Sequence, residues 1–237
     1  MKSHISSKGL PNIVALLRYS KNNNDVRRII GCGADAPHDR PFASVIFYAS
    51  LLFIAAAAPL WFVHYLPLYD YQNHLLEAQV VVHYNNAAYG YAENYVLRPD
   101  WLWRSNALTT LLFIVFAQVL PIAVAGKLVV TGYIALLVYG MAMILVEQKR
   151  PQYLLLGAAP LINSLIFTGG MINAAYAFAL TPWMLLCYMR WQGSQSWRYL
   201  AALACLALIQ YMAHALGLSL IHISEPTRRT PISYAVF

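Results

Sequence analysis

Charge is what this chain has least of. Asp, Glu, Lys and Arg together supply 11% of its 237 residues, whereas soluble domains carry about a quarter. Hydrophobic residues make up 60%, and the mean hydropathy is +0.52. That balance excludes an ordinary water-soluble globule and points to an integral membrane protein. Cysteine is scarce too. Cys32, Cys187 and Cys205 stand far apart, the last two in apolar segments, so neither a disulfide framework nor a cysteine-based metal site can be read from them. Acidic residues number nine against sixteen basic ones. The basic excess is concentrated in the first forty residues, where it reads as a cytoplasmic membrane flank and not as a nucleic-acid groove.

What is present is a succession of long apolar runs. Residues 1–42 hold Lys2, Lys8, Arg18, Lys21, Arg27, Arg28 and Arg40 against three aspartates, and read as a cytoplasmic tail. Residues 10–19 within it can form a short amphipathic surface helix or stay weakly ordered. Residues 43–63 carry no charge and are long enough to cross a hydrocarbon core of roughly 30 Å. The one long polar stretch, residues 64–105, follows and is expected outside. Residues 106–126 and 128–146 read as the second and third spans, joined by a tight turn at Gly126 and Lys127. Residues 153–191 are broken by Pro160, Gly169, Gly170 and Pro182 and read as two spans or two interrupted ones. Residues 199–217 begin another. The expected fold is an all-α polytopic transmembrane bundle of five to six spans over residues 43–217. One feature conflicts with this count: it places Lys149 and Arg150 outside, against the positive-inside tendency.

The densest group of chemically useful side chains is PLYDYQNHLLEA, residues 67–78. In a helix starting after Asp70, Asp70, His74 and Glu77 fall at i, i+4 and i+7 and share one face, with Asn73 beside them. Two carboxylates and an imidazole on one face can do general acid–base work or bind a divalent cation, with Asp70 as the candidate ligand. The alternative is structural: Asp70 as an N-cap, His74 as a hydrogen-bonded interfacial residue, Glu77 as a solvated charge. Residues 86–103 interleave Tyr89, Tyr91, Tyr95, Trp101 and Trp103 with charges. They read as an interfacial aromatic belt, or as a platform for a sugar or lipid headgroup with Arg98 or Arg104 facing a phosphate. Asn163 and Asn173 flank TGG at 168–170, with interhelical hydrogen bonding the first reading and a lining role the second.

A P-x-x-D-x-x-N-H-L element (Pro67, Asp70, Asn73, His74, Leu75) follows a single span, and the next span is entered through Asn106. A later segment has Asn163, Phe167 and Asn173, with Gly169 and Gly170 between the last two. Over roughly residues 43–180 the chain thereby resembles bacterial multi-pass proteins related to glycosyltransferases of the GT-C fold. The resemblance implies transfer of a sugar from a polyprenyl-phosphate donor at the outer face of the bacterial cytoplasmic membrane, with Asp70 as the catalytic or metal-binding acid. The group often has an Arg after the N-H-L element, where this chain has Glu77 and Ala78. Two other readings remain: a multi-pass transporter or flippase-like protein, for which broken spans around a midplane site are expected, and a noncatalytic membrane subunit.

Residues 218–237, LSLIHISEPTRRTPISYAVF, resemble translated sequencing-library DNA. One frame reads through a transposase end and adapter as Leu218 to Arg228, a barcode as Arg229 to Pro231, and a second adapter as Ile232 to Phe237. The tail is therefore expected to be artefactual, and the natural sequence to continue past residue 217 as a longer protein.

Overall fold

The computed structural model describes residues 42–215. The basic tail, its amphipathic segment and the adapter-like end lie outside the described residues. Those described form only helices, turns and loops: α1 (Phe42–Phe62), α2 (Tyr71–Val82), α3 (Tyr91–Asn94), α4 (Ala107–Ala117), α5 (Ile122–Glu147), α6 (Ala158–Ile162), α7 (Leu165–Thr168), α8 (Ile172–Ser194) and α9 (Trp197–Ala213). Short 3-10 turns at Trp101–Trp103 and Gln152–Gly157 complete the described helical elements. Three helices, α1, α5 and α8, are long and apolar enough to cross a membrane. Their 21, 26 and 23 residues correspond to about 32, 39 and 35 Å at 1.5 Å per residue. On α1, Phe47, Leu51, Ile54 and Phe62 are exposed, an apolar surface that suits lipid and not water.

The contacts between the long helices set their directions. Ser50 Oγ lies 3.0 Å from Tyr139 OH, and Trp61 Nε1 donates to Thr131 Oγ1 at 3.2 Å. Later residues of α1 thus meet earlier residues of α5, and the two run antiparallel. Between α5 and α8 the pairing advances in step: Tyr176 OH donates to the Val129 carbonyl (2.6 Å), Trp183 Nε1 to the Leu136 carbonyl (2.8 Å), and Arg190 Nε to Glu147 Oε2 (2.9 Å). These two helices run parallel. Small residues let them approach, since a Cβ on Gly140 would lie 2.8 Å from Trp183 Nε1. Near Pro182, which has no N–H to give, the Ala177 carbonyl accepts from the Thr181 hydroxyl and from the buried Gln210 of α9. Tyr133, Ile134, Leu137 and Phe113 are among the large side chains at the centre of the core.

Two expectations are corrected. No turn occurs at Gly126 and Lys127, because both lie within α5; the chain breaks earlier, between Ala117 and Ile122, where Pro121 precedes the first helical residue. Gly126 is instead a notch: a Cβ there would lie 2.0 Å from the Tyr71 hydroxyl. The expected second span is the 11-residue α4, about 16 Å long. Residues Gln152–Thr168 and α9 are likewise apolar but shorter than a span. The second correction follows from the first. Ser44 Oγ donates to Gln152 Oε1 at 3.2 Å, so the end of α5, with Lys149 and Arg150, lies at the same end of the bundle as the start of α1. With the start of α1 inside, as the sequence leads one to expect, the count no longer places Lys149 and Arg150 outside.

Candidate functional site

At the opposite end, α1 stops, α5 and α8 begin, and α2 packs mainly on α4, with a smaller contact on α5. The turn entering α2 is built against the TGG segment. Tyr69 N–H donates to the Thr168 carbonyl (3.5 Å) and Asp70 N–H to the Gly169 carbonyl (3.0 Å). Gly170 has φ +77°, a conformation that costs an ordinary L residue about 1–2 kcal/mol. A Cβ on it would lie 2.4 Å from Asp70 N. The two motifs picked out separately in the sequence therefore touch, backbone to backbone.

Asp70 occupies the N-cap position of α2, but its backbone is in the right-handed helical region (φ −92°, ψ −5°) and its side chain makes no capping bond. Its carboxylate turns to the helix face instead. Asn73 Nδ2 donates to Asp70 Oδ1 at 2.7 Å, and Oδ2 lies 3.5 Å from His74 Nε2. On the other edge of the same imidazole, Nδ1 lies 3.8 Å from Glu77 Oε2, too far for a hydrogen bond, and has no other partner. Glu77 Oε2 accepts from the Thr110 hydroxyl of α4 at 3.3 Å. The His74 side chain is 11% exposed, against 41% for Asp70 and 60% for Glu77. A buried imidazole thus lies between two solvent-reaching carboxylates, and the expected shared face exists.

This arrangement does not suit one cation held by all three groups. The carboxylates address different ring nitrogens of His74, so the ring separates them. Among the described residues no group of three His, Cys, Asp or Glu side chains is placed to hold a metal ion.

Glu77 also lines a cavity of about 390 Å³ on the α4 side of α2, together with Tyr95, Arg98, Trp101, Arg104, Asn106 and Thr110. Of the sequence-derived candidates, the cavity collects Glu77, Arg98 and Arg104; Asp70, Asn73 and His74 do not line it. Arg104 is engaged by Asp100, Nη2 at 2.8 Å and Nε at 2.9 Å from Oδ2, and this hydrogen bond holds the Asp100 carboxyl below its usual range. Arg98 contacts no carboxylate among the described residues.

Sequence reasoning picks out Asn106 but not the partners that hold it and Ser105 at the site, His214 and Ala215. Asn106 adopts φ +74°, tolerated by Asn better than by most residues, and its Oδ1 lies 2.6 Å from His214 Nδ1. The Ala215 N–H donates to Ser105 Oγ at 2.8 Å. The end of α9 thereby holds the cavity rim from more than a hundred positions away in the chain, a separation that carries no local signal. Asn173 is buried and accepts from the Thr109 hydroxyl, the expected interhelical role. Asn163 instead bonds the Ala159 carbonyl of its own turn and is exposed. The aromatics divide: His83, Tyr89 and Tyr91 stack at 4.7 and 5.4 Å, while Tyr95 and Trp101 line the cavity. A scan against protein-family models and searches of curated proteins and of solved structures find no match to this chain.

Proposed function

We propose that this protein is a polytopic glycosyltransferase of the GT-C kind in the bacterial cytoplasmic membrane, with its N-terminus inside, moving a sugar from a polyprenyl-phosphate donor to an acceptor hydroxyl at the outer face. The observation that carries the reading is the cavity that gathers one carboxylate bound to no guanidinium, Glu77, and two guanidinium groups, Arg98 and Arg104, against an aromatic wall. It lies at the end of the bundle away from Lys149 and Arg150. Guanidinium groups match phosphate oxygens in geometry and charge, and a carboxylate within reach of an acceptor hydroxyl can take its proton. In this reading the acceptor oxygen bonds to the anomeric carbon as the bond from that carbon to the phosphate oxygen breaks. Glu77 receives the proton, Arg98 matches the charge on the departing polyprenyl phosphate, and Arg104, anchored by Asp100, fixes the binding wall. Asp70 and Asn73 hold His74 behind Glu77. No step requires a metal.

The test is transfer by membranes carrying the full-length protein. Glu77→Gln should lower the rate by about a hundredfold or more, the scale of a lost general base, at unchanged membrane abundance. Asp70→Asn should lower it less. Normal transfer by both variants would reject the reading. A transporter-like function is the second reading, favoured by the interrupted segment Gln152–Thr168 and the short α4, since broken helices commonly frame a transport site. Substrate movement across vesicles without sugar transfer would select it.

A further inference from the structure

On the other face of α2 lies a second cavity of about 260 Å³, separated from the first by Leu76, which lines both. Its polar lining is of a different kind. Lys127, His64, Gln72 and Gln79 supply donors, Tyr71 and Leu75 supply apolar wall, and no carboxylate lines it. Lys127 is the only charged residue between Arg104 and Glu147. Its ammonium donates to the Val63 carbonyl at 2.6 Å and pairs with no carboxylate among the described residues. An ammonium has three donors, so one carbonyl leaves both hydrogen-bonding capacity and charge to be matched. Beside the cavity the chain presents side chains fit for a membrane interface: Phe62 is 89% and Tyr65 70% exposed, and Tyr65 packs edge-on against His64 at 4.4 Å. A cation with no anion of its own, an apolar wall and a flanking aromatic belt together describe a phosphodiester headgroup with the first part of its acyl chains.

We propose that this cavity seats an anionic phospholipid, with Lys127 as its countercharge. The proposal is independent of sugar transfer, since it uses the opposite face of α2. It is tested on the chain in nanodiscs containing photoactivatable phosphatidylglycerol or phosphatidylcholine, reading the labelled peptides. Phosphatidylglycerol should label the segments around Tyr65 and Gln79 about fivefold more than phosphatidylcholine, the scale of one lysine at an anionic surface. Lys127→Gln, which can still donate to the Val63 carbonyl, should abolish that preference, and Lys127→Arg should retain it. Equal labelling by the two lipids in the unaltered protein, or a preference that survives Lys127→Gln, would overturn the proposal. Loss of the label on adding inorganic phosphate would also overturn it, by assigning the site to a free anion.

Discussion

The seam between α5 and α8 and the end of the bundle around Asp70 use their polar side chains in opposite ways. In the seam, Tyr176 and Trp183 carry their polar tips inward and give them to backbone carbonyls, and Gly140 makes room for the indole. These donors are fully used, and the result is adhesion. At the Asp70 end, His74 Nδ1 has no hydrogen bond, Glu77 is well exposed, and the Arg98 and Lys127 side chains contact no carboxylate among the described residues. The difference teaches where chemistry can occur: polar groups spent on the backbone hold helices together, and the spare capacity at the Asp70 end is left for chemistry.

The largest effect should come from the contact that joins the two regions. Gly170→Ala adds a Cβ 2.4 Å from a backbone nitrogen at a positive φ, so we expect a loss of about 3 kcal/mol or more, read as a drop in the thermal midpoint in detergent, with loss of the proposed sugar transfer. In the seam, Gly140→Val should cost about 2 kcal/mol by overpacking yet leave transfer per folded molecule unchanged. If it abolished transfer at full stability, the seam would be part of the site and the comparison would fail. Tyr71, whose hydroxyl burial pushes its pKa up to about 12, joins the two regions through Gly126. Because the folded pKa lies above the unfolded one, this stabilisation is complete below pH ~10 and is lost as pH rises towards 12. Tyr71→Phe should therefore flatten the alkaline decline by on the order of 2 kcal/mol, seen as a smaller gap between unfolding midpoints at neutral and alkaline pH. The smallest effect is Trp183→Phe, which removes one hydrogen bond for about 1 kcal/mol. Combined with Gly140→Val it should cost less than the sum of the two, since both disrupt one contact; strict additivity would show that the two positions are not coupled through the indole.

Composition and period made part of this molecule legible. Residues 43–63 read as a span and α1 covers Phe42–Phe62, because an uncharged run of that length has few alternatives. The face shared by Asp70, His74 and Glu77 followed from helical spacing alone. The misplaced turn has a physical reason: a glycine beside a lysine signals a chain reversal and a helical packing notch equally well, and only the Tyr71 ring, 55 positions earlier, decides between them. Because α4 is too short to cross, α5 starts at the end where α1 stops, so its direction is the reverse of the expected one and Lys149 and Arg150 lie at the other end. The two cavities were not legible, since each is made by segments that meet only in three dimensions.

The docking of Gly170 on Asp70 also imposes an order in time. Position 170 leaves the ribosome one hundred residues after position 70, and at about 5–20 residues per second that is a delay of roughly 5–20 s. During it α2 has left the ribosome while the carbonyl that accepts from the Asp70 N–H does not yet exist. The turn that aims Asp70 and His74 takes its final form only after α5 has been made and the broken segment behind it has returned. The nascent chain therefore carries Asp70 and His74 through the making of the next hundred residues without a finished site, which closes only once Gly170 has emerged.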